Sequence, residues 1–249
     1  MHTSTCKNVT FASVSIRVTD DQGVDTTVDT GNVALVNNMM HSLFREVRIQ
    51  LGHNQVEITP SMGTYPYRAY MENLLSFGTS AKGTYLKCVG WHTDQAGKMD
   101  HHFGEGEGGT NTGLTSRRNV IVPTKEVELM GRLHCDLFLQ DRYLIDGVPM
   151  KLDLIRSAKE FHMMCPADKK YNLTITKAEF YTRQVNINPR IREQHISTMM
   201  TGGGTGTLAK YPLSRVQVTA QDIPQGGRDF HKDQLIGGQL PKWIILGLV

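Results

Sequence analysis

Apolar and polar residues alternate along most of this chain. Ala12, Val14, Ile16 and Val18 are separated by Ser13, Ser15 and Arg17, the period of two that marks a strand with one buried and one wet face. Val47, Ile49 and Leu51 alternate with Glu46, Arg48 and Gln50. Gly52-His53-Asn54 then turns the chain, and Val56 with Ile58 predicts the return strand of a hairpin. Further on, Val127, Leu129, Leu133, Cys135, Leu137 and Leu139 hold odd positions, with Glu126, Glu128, Arg132, His134 and Asp136 between them. Gly131 falls on the apolar side of that run and reads as a bulge. Asp146-Gly147 leads into Val148, Met150, Leu152 and Leu154, so 141–147 reads as a short connection between neighbouring strands. Tyr171, Leu173 and Ile175 open another strand. Its apolar set changes parity at Ala178 and Phe180 and again at Val185 and Ile187, which predicts a bulge or a strand that crosses between sheets.

Two segments break the alternation with a helical period. Tyr67, Tyr70, Met71, Leu74 and Leu75 form an i, i+3, i+4, i+7, i+8 stripe, with Thr64 placed to cap it, Pro66 in the first turn and Gly78 after the end. Residues 189–200 read as a second short helix capped by Asn188. Between Thr79 and Pro123 the periodicity fades, and Gly104-Glu105-Gly106-Glu107-Gly108-Gly109 is too flexible and polar to pack. This stretch reads as a long surface excursion. Thr201-Gly202-Gly203-Gly204-Thr205-Gly206-Thr207 has the composition of a linker and marks a domain boundary near 201–207. Beyond it Val216, Val218 and Ala220 alternate with Arg215, Gln217 and Thr219. Pro241 to Val249 reads as a buried strand that needs a neighbour on both sides. Many strands, one or two short helices and no βαβ repeat predict an all-β sandwich or jelly roll.

Composition changes this picture little. The 249 residues are 39% hydrophobic and 20% charged with a net charge of +3, too mild a balance for a nucleic-acid groove. The run Met1-His2-Thr3-Ser4-Thr5-Cys6-Lys7 lacks an apolar core, and no 18-residue apolar stretch occurs. Neither a secretory signal nor a membrane span is therefore expected. The four cysteines, Cys6, Cys88, Cys135 and Cys165, stand far apart without a CxxC pair. They read as reduced thiols rather than zinc ligands or a disulfide framework.

Candidate chemistry is sparse. His92, Asp94, His101 and His102 are suitable metal ligands by type, but their spacing matches no mechanistic motif. His134-Cys135-Asp136 looks like a triad, yet on a strand Cys135 points away from both neighbours and reads as a core cysteine between two surface polar residues. Gly202-Gly203-Gly204-Thr205-Gly206 lacks the Lys of a phosphate loop. Arg117-Arg118 reads as a solvated pair in a loop. Tyr65, Tyr67 and Tyr70 beside Arg68 read as core and interface packing rather than a stacking platform. No catalytic, cofactor-binding or metal residue is assigned, and a structural or binding role is expected.

Several runs carry a resemblance. They are Val36-Asn37-Asn38-Met39-Met40-His41-Ser42-Leu43-Phe44 with the strand after it, Thr64-Tyr65-Pro66-Tyr67-Arg68-Ala69-Tyr70, and Gly97-Lys98-Met99-Asp100. Later come Gly131-Arg132-Leu133-His134-Cys135-Asp136-Leu137-Phe138, Gly147-Val148-Pro149-Met150-Lys151-Leu152 and Gly238-Gln239-Leu240-Pro241-Lys242. In this order, over roughly residues 35 to 249, the chain resembles the major capsid proteins of Polinton (Maverick) elements and adintoviruses. The resemblance implies a double jelly-roll protein without catalysis or cofactor. It would assemble as a homotrimeric, pseudo-hexameric capsomer of an icosahedral virion shell, with neighbouring capsomers and a minor capsid or penton protein as partners. It would enclose double-stranded DNA without reading its sequence. On this view 1–200 is the first jelly roll with a long loop over about 79–124, 201–207 is the Gly-rich linker, and 208–249 opens a second, truncated roll. The competing expectations are a jelly-roll binding module, a domesticated capsid-derived protein, or a metal enzyme of the cupin type.

Overall fold

The computed structural model describes residues 5–26, 32–52, 56–57, 63–99, 101, 111–121, 126–145, 147–167, 169–201, 209–221, 223, 231, 233 and 240–247. In chain order the strands are β1 (Thr5–Asp20), β2 (Ala34–Leu35), β3 (Phe44–Leu51), β4 (Val56–Glu57), β5 (Val127–Gly131), β6 (Met150–Arg156), β7 (Met163–Met164) and β8 (Tyr171–Asn186). The helices are α1 (Met39–Ser42), α2 (Tyr65–Ser76), α3 (Thr79–Gly83), α4 (Thr112–Ile121), α5 (Asp136–Leu139), α6 (Lys159–His162) and α7 (Pro189–Thr201), with a 3-10 turn at Tyr85–Val89. Helix and strand are present in similar amounts. The chain is therefore mixed α/β with several antiparallel sheets, not the all-β fold that alternation predicts. Much of the helix lies where the sequence has no clear period, at 79–89 and 112–121.

The strands form three sheets, ordered β5-β1-β8, β2-β7 and β4-β3-β6. β1 and β8 pair antiparallel over their whole length, from Thr5↔Asn186 to Asp20↔Tyr171. Ala12, Val14, Ile16 and Val18 are buried as their period requires. Ser13 and Ser15 are buried too, so the second face of the strand is not wet there; Ser13 Oγ donates to Glu128 Oε1 on β5 at 2.6 Å. The parity change in β8 is a bulge. Ser15 pairs with Lys177 and Ile16 with Ile175, which leaves Thr176 as the extra residue. The second irregularity falls on β1 instead, between Val9↔Thr182 and Phe11↔Tyr181.

The 46–58 hairpin forms as predicted, with β4 pairing Gln50 and Leu51 of β3; Ile58 lies outside the described residues. β6 pairs with β3, not with β5, so 141–147 joins two different sheets rather than neighbouring strands. The 127–139 run is strand only as far as Gly131; burial of the odd positions Leu133, Cys135 and Leu137 continues through the turn and into α5. Gly131 pairs in register with Ala12 and is not a bulge. Its role is close approach: a Cβ there would sit 2.1 Å from Val89 Cγ1 of the 3-10 turn.

Three expectations about organisation change. The 79–124 excursion contains α3, the 3-10 turn and α4, because Leu86, Val89, Trp91, Leu114 and Ile121 are apolar enough to dock; 102–110 and 122–124 lie outside the described residues. The linker 202–207 also lies outside them. The 209–221 segment forms no strand, although Val216 and Val218 are half-buried between exposed neighbours, following the alternation without a pairing partner. Residues 241–247 form no buried strand either: Trp243 is 80% and Leu246 81% exposed. A run of residues becomes a strand only where another backbone offers hydrogen bonds, and none of the described strands lies beside this one. Gly131→Ala should lower stability by about 1–3 kcal/mol, since Val89 or β1 must move to admit the methyl; a urea titration read by circular dichroism measures it.

Candidate functional site

Two buried polar knots dominate the interior. The first closes the 90–121 excursion. Asn111 stands just ahead of α4 and accepts from the N–H of Gly113 and Leu114 at 3.1 and 3.3 Å, the geometry of a helix N-cap. Its amide donates to Asp94 Oδ1 at 3.0 Å and to the Lys98 carbonyl at 2.9 Å. Asp94 also accepts from Arg117 at 2.8 Å. Arg117, only 1% exposed, donates in addition to the carbonyls of Leu35 at 2.7 Å and His92 at 2.9 Å. A buried guanidinium is tolerated because its donors meet a carboxylate and two carbonyls.

The second knot joins α1, α2 and the turn after β5. His41 Nδ1 lies 2.9 Å from the Tyr65 hydroxyl. The His41 and His134 rings meet edge to face with centroids 4.7 Å apart. His134 Nδ1 donates to Glu72 Oε2 at 2.6 Å, and its backbone N–H donates to the Tyr65 hydroxyl at 3.3 Å. Arg68 bridges Glu72 at 2.7 Å and Asp136 at 2.8 Å. Asp136 Oδ2 then accepts from the Ser214 N–H at 2.6 Å.

Helix α2 explains why these groups converge. Tyr65, Ala69 and Asn73 are spaced four apart and face inward, where Asn73 donates to Asn38 Oδ1 at 3.0 Å. The apolar stripe that predicts this helix lies mostly on its other side: Tyr67, Leu74 and Leu75 are exposed, Leu75 by 59%. The helix exists where the sequence places it, but its buried face is not the stripe.

Electrostatics follow from burial. Desolvation, helped by His134, holds the His41 imidazole well below its usual range. Burial pushes the Tyr65 phenol well above its usual range. Burial works against ionised Glu72, but hydrogen bonding from His134 and the Arg68 charge outweigh it, and its carboxyl lies below the ordinary value. Burial pushes the Cys135 thiol up to about 12, so this sulfur is a core thiol rather than a poised thiolate.

The sequence candidates sort accordingly. His134, Cys135 and Asp136 do not form a triad: Cys135 is buried, as expected, but His134 and Asp136 are half-buried members of the second knot rather than surface residues. Arg117 sits on a helix and is buried, not a solvated loop residue, because three acceptors surround it. Asp94 is engaged by Arg117 and Asn111, and His102 lies outside the described residues. Among the described residues no group of three potential metal ligands comes together. Tyr70 stacks on Trp91 at 5.1 Å and Tyr67 meets Phe161 edge-on at 5.7 Å, both packing contacts. The residues that sequence reasoning missed are His41, Glu72 and Asn111. A polar side chain beside apolar neighbours, as in Met39-Met40-His41, is the only signal that could have found the first.

Replacing Arg117 by Met should lower stability by about 3 kcal/mol or more, since a buried carboxylate and two carbonyls lose their donor; the shift of the urea midpoint checks this. The second knot sets a pH dependence. His41 binds its proton less readily folded than unfolded, so stability is complete above pH 6.5 and falls as pH drops below it, by up to about 1.4 kcal/mol per unit for one proton. His162, buried and lowered by desolvation and by Arg156, adds the same sign. Glu72 contributes stability present above pH 4.5 and lost as pH falls through its lowered value. Thermal melts at pH 7.5, 6.5 and 5.5 should show the midpoint dropping mainly over the last step, by roughly 2–4 °C per kcal/mol.

Comparison with known proteins adds one relative. An uncharacterized protein of Caenorhabditis elegans is 22% identical over 249 residues, covering 96% of this chain and 55% of that protein. The chain thus spans about half the length of the relative it matches. No family model matches the sequence, and no solved structure matches the fold.

Proposed function

We propose that this chain is a structural major capsid protein of a double-stranded DNA virus or virus-like element, built on the double jelly-roll plan and acting by self-assembly. The reading rests first on the ordered sequence runs that resemble capsid proteins of Polinton elements and adintoviruses. The observation that carries it furthest is where three of those runs meet. Residues 36–44, 64–70 and 131–138 are distant in sequence, yet they supply His41, Tyr65, Arg68, His134 and Asp136 to one buried knot. Shared runs that converge on a buried polar cross-brace specify architecture, as expected of a shell protein.

Exposed apolar groups support the same reading. Leu74 and Leu75 on α2, Ile191, Ile196 and Met199 on α7, and Trp243, Ile244 and Leu246 near 241–247 all face solvent in the single chain. Apolar surface of this kind marks a site of association. In this proposal it packs against neighbouring copies in a homotrimer and against adjoining capsomers, with a minor capsid or penton protein at special positions of the virion. DNA is enclosed without sequence recognition, in keeping with a net charge of only +3. The jelly-roll arrangement of strands belongs to the proposal as well, with β1 and β8 as partners in one of its sheets.

The purified protein should elute in light-scattering chromatography at three times the 27.9 kDa of the chain, through an interface well over about 1,000 Å² per contact. Electron microscopy at higher concentration should show ring-shaped capsomers. A strictly monomeric product at tens of micromolar would overturn the capsid reading in favour of a jelly-roll binding module or a domesticated relative.

A further inference from the structure

The second polar knot ends on a part of the chain that a few polar contacts hold to the fold. Residues 209–221 run as a strap over the turns that follow β5. Ser214 N–H donates to Asp136 Oδ2 at 2.6 Å. The Tyr211 hydroxyl accepts from Ile145 N–H at 3.1 Å and donates to the Tyr143 carbonyl at 3.2 Å, and Arg142 donates to the Lys210 carbonyl. Tyr211, Val216 and Val218 are half-covered and the rest of the strap is exposed. A handful of polar contacts, the innermost to Asp136, therefore decides whether it stays in place.

The hydrogen-bond sense at Tyr65 makes the knot sensitive to one proton. The phenol oxygen accepts from His134 N–H, and the arrangement that also gives its buried hydrogen an acceptor has it donate to His41 Nδ1 of a neutral imidazole. A proton on Nδ1 reverses that bond and leaves the buried Tyr65 hydrogen without an acceptor. It also places a cation against the His134 ring, 4.7 Å away. His134 and Asp136 belong to one short turn, closed by Cys135 N–H to the Leu133 carbonyl and Phe138 N–H to the Cys135 carbonyl. His134 cannot leave His41 without moving Asp136.

The other ionisable groups near His41 do not offset this. From α2 they are Tyr65, Arg68 and Glu72, and Glu72 is already engaged by His134 and Arg68. The turn after β5 adds Cys135 and Asp136, the latter engaged by Arg68. α6 brings His162, buried like His41, along with Lys159 and exposed Glu160. β3 brings Arg45, which is exposed, and Glu46, which pairs with Arg48. The 3-10 turn adds Lys87, which is exposed, and Cys88. β5 brings Glu128, which accepts from Ser13; among these described residues the carboxylates are engaged except Glu160, which is exposed.

We infer that the knot is a proton-operated latch: acid charges His41, the turn carrying His134 and Asp136 shifts, and the 209–221 strap comes off while the β1–β8 ribbon stays paired. The inference goes beyond the capsid reading and stands or falls without it. A shell protein with this device would free a surface-exposed segment on acidification.

Hydrogen–deuterium exchange by mass spectrometry tests it, with rates corrected for the intrinsic effect of pH. Peptides over 209–221 and 133–146 should lose protection about tenfold between pH 7.5 and 5.5, one unit below the free imidazole value, for one proton taken up. Peptides of β1 and β8, which open only with the whole fold, should keep far higher protection than the strap at both pH values. Ser214→Pro, which removes the N–H that Asp136 accepts at an exposed position, should show the released level at both pH values. Equal strap protection at pH 7.5 and 5.5, or a strap that exchanges no faster than β1 and β8 at pH 5.5, would each overturn the latch.

Discussion

The pairing of β1 with β8 is the constraint on which the remaining structure depends. It brings residues 5–20 against 171–186, so every element from 21 to 170 is built inside one closed loop of the chain. Closing such a loop costs entropy that grows only slowly with length, but the cost comes before the contacts that offset it, which makes this a slow-folding topology. The offset is a ribbon paired from end to end, with β5 added along part of β1. Ala12, Val14, Ile16 and Val18 on that strand form the floor on which the other core side chains pack. The bulge at Thr176 is part of the design. It re-aims β8 by one residue so that Tyr171 and Leu173 on one side of it enter the core, while beyond it Lys177 and Ala178 are exposed.

Above that floor, polar groups perform tasks usually given to apolar ones. α2 presents Tyr65, Ala69 and Asn73 to the interior and leaves Leu74 and Leu75 outside. Burying a phenol and an amide is costly unless each is satisfied, and here the phenol meets His41 and the His134 N–H while the amide meets Asn38. Such contacts have strict geometry, so they fix how α2 sits with a precision that sliding apolar surfaces lack.

How much of this was legible in the sequence follows from the same physics. Period-two alternation located β1, β3, β6 and β8, and the parity change located the bulge, because strand burial is set by the nearest residues. The ends of α7 were legible as well: Asn188 Oδ1 accepts from Arg190 N–H at 3.0 Å, as the capping pattern predicts. Pairing was not legible. Alternation cannot tell whether a partner exists: it predicts β6 beside the preceding strand, whereas β6 pairs with β3, and it predicts a strand at 215–220, where none forms. The helices of the excursion are hidden because α4 buries only two large apolar residues, Leu114 and Ile121, and Arg117 with the Asn111 cap completes its inner face. The second knot was invisible for a related reason: His41, Glu72 and His134 come from three separate segments, and a polar residue shows no sign in the sequence of the acceptor it will find.

The two knots are joined by a short stretch at residues 35–41, and this stretch is the hub of the molecule. The Leu35 carbonyl accepts from Arg117, Asn37 Oδ1 accepts from His92 N–H at 2.8 Å, Asn38 Oδ1 accepts from Asn73, and His41 meets Tyr65 and His134. Four nearby side chains and carbonyls thus bind α4, the excursion, α2 and the turn after β5. The backbone has to turn sharply for them to point in four directions, and it does so at Asn38, with φ 61°. Asparagine is among the few residues other than glycine that tolerate this left-handed conformation, and unlike glycine it also supplies the side-chain oxygen that Asn73 needs. The run Val36-Asn37-Asn38-Met39-Met40-His41 accordingly places polar residues where the local geometry, rather than solvent, requires them, on either side of two methionines that are wholly buried. A sequence stretch that must satisfy backbone turn, core packing and four hydrogen bonds at once has little freedom to vary.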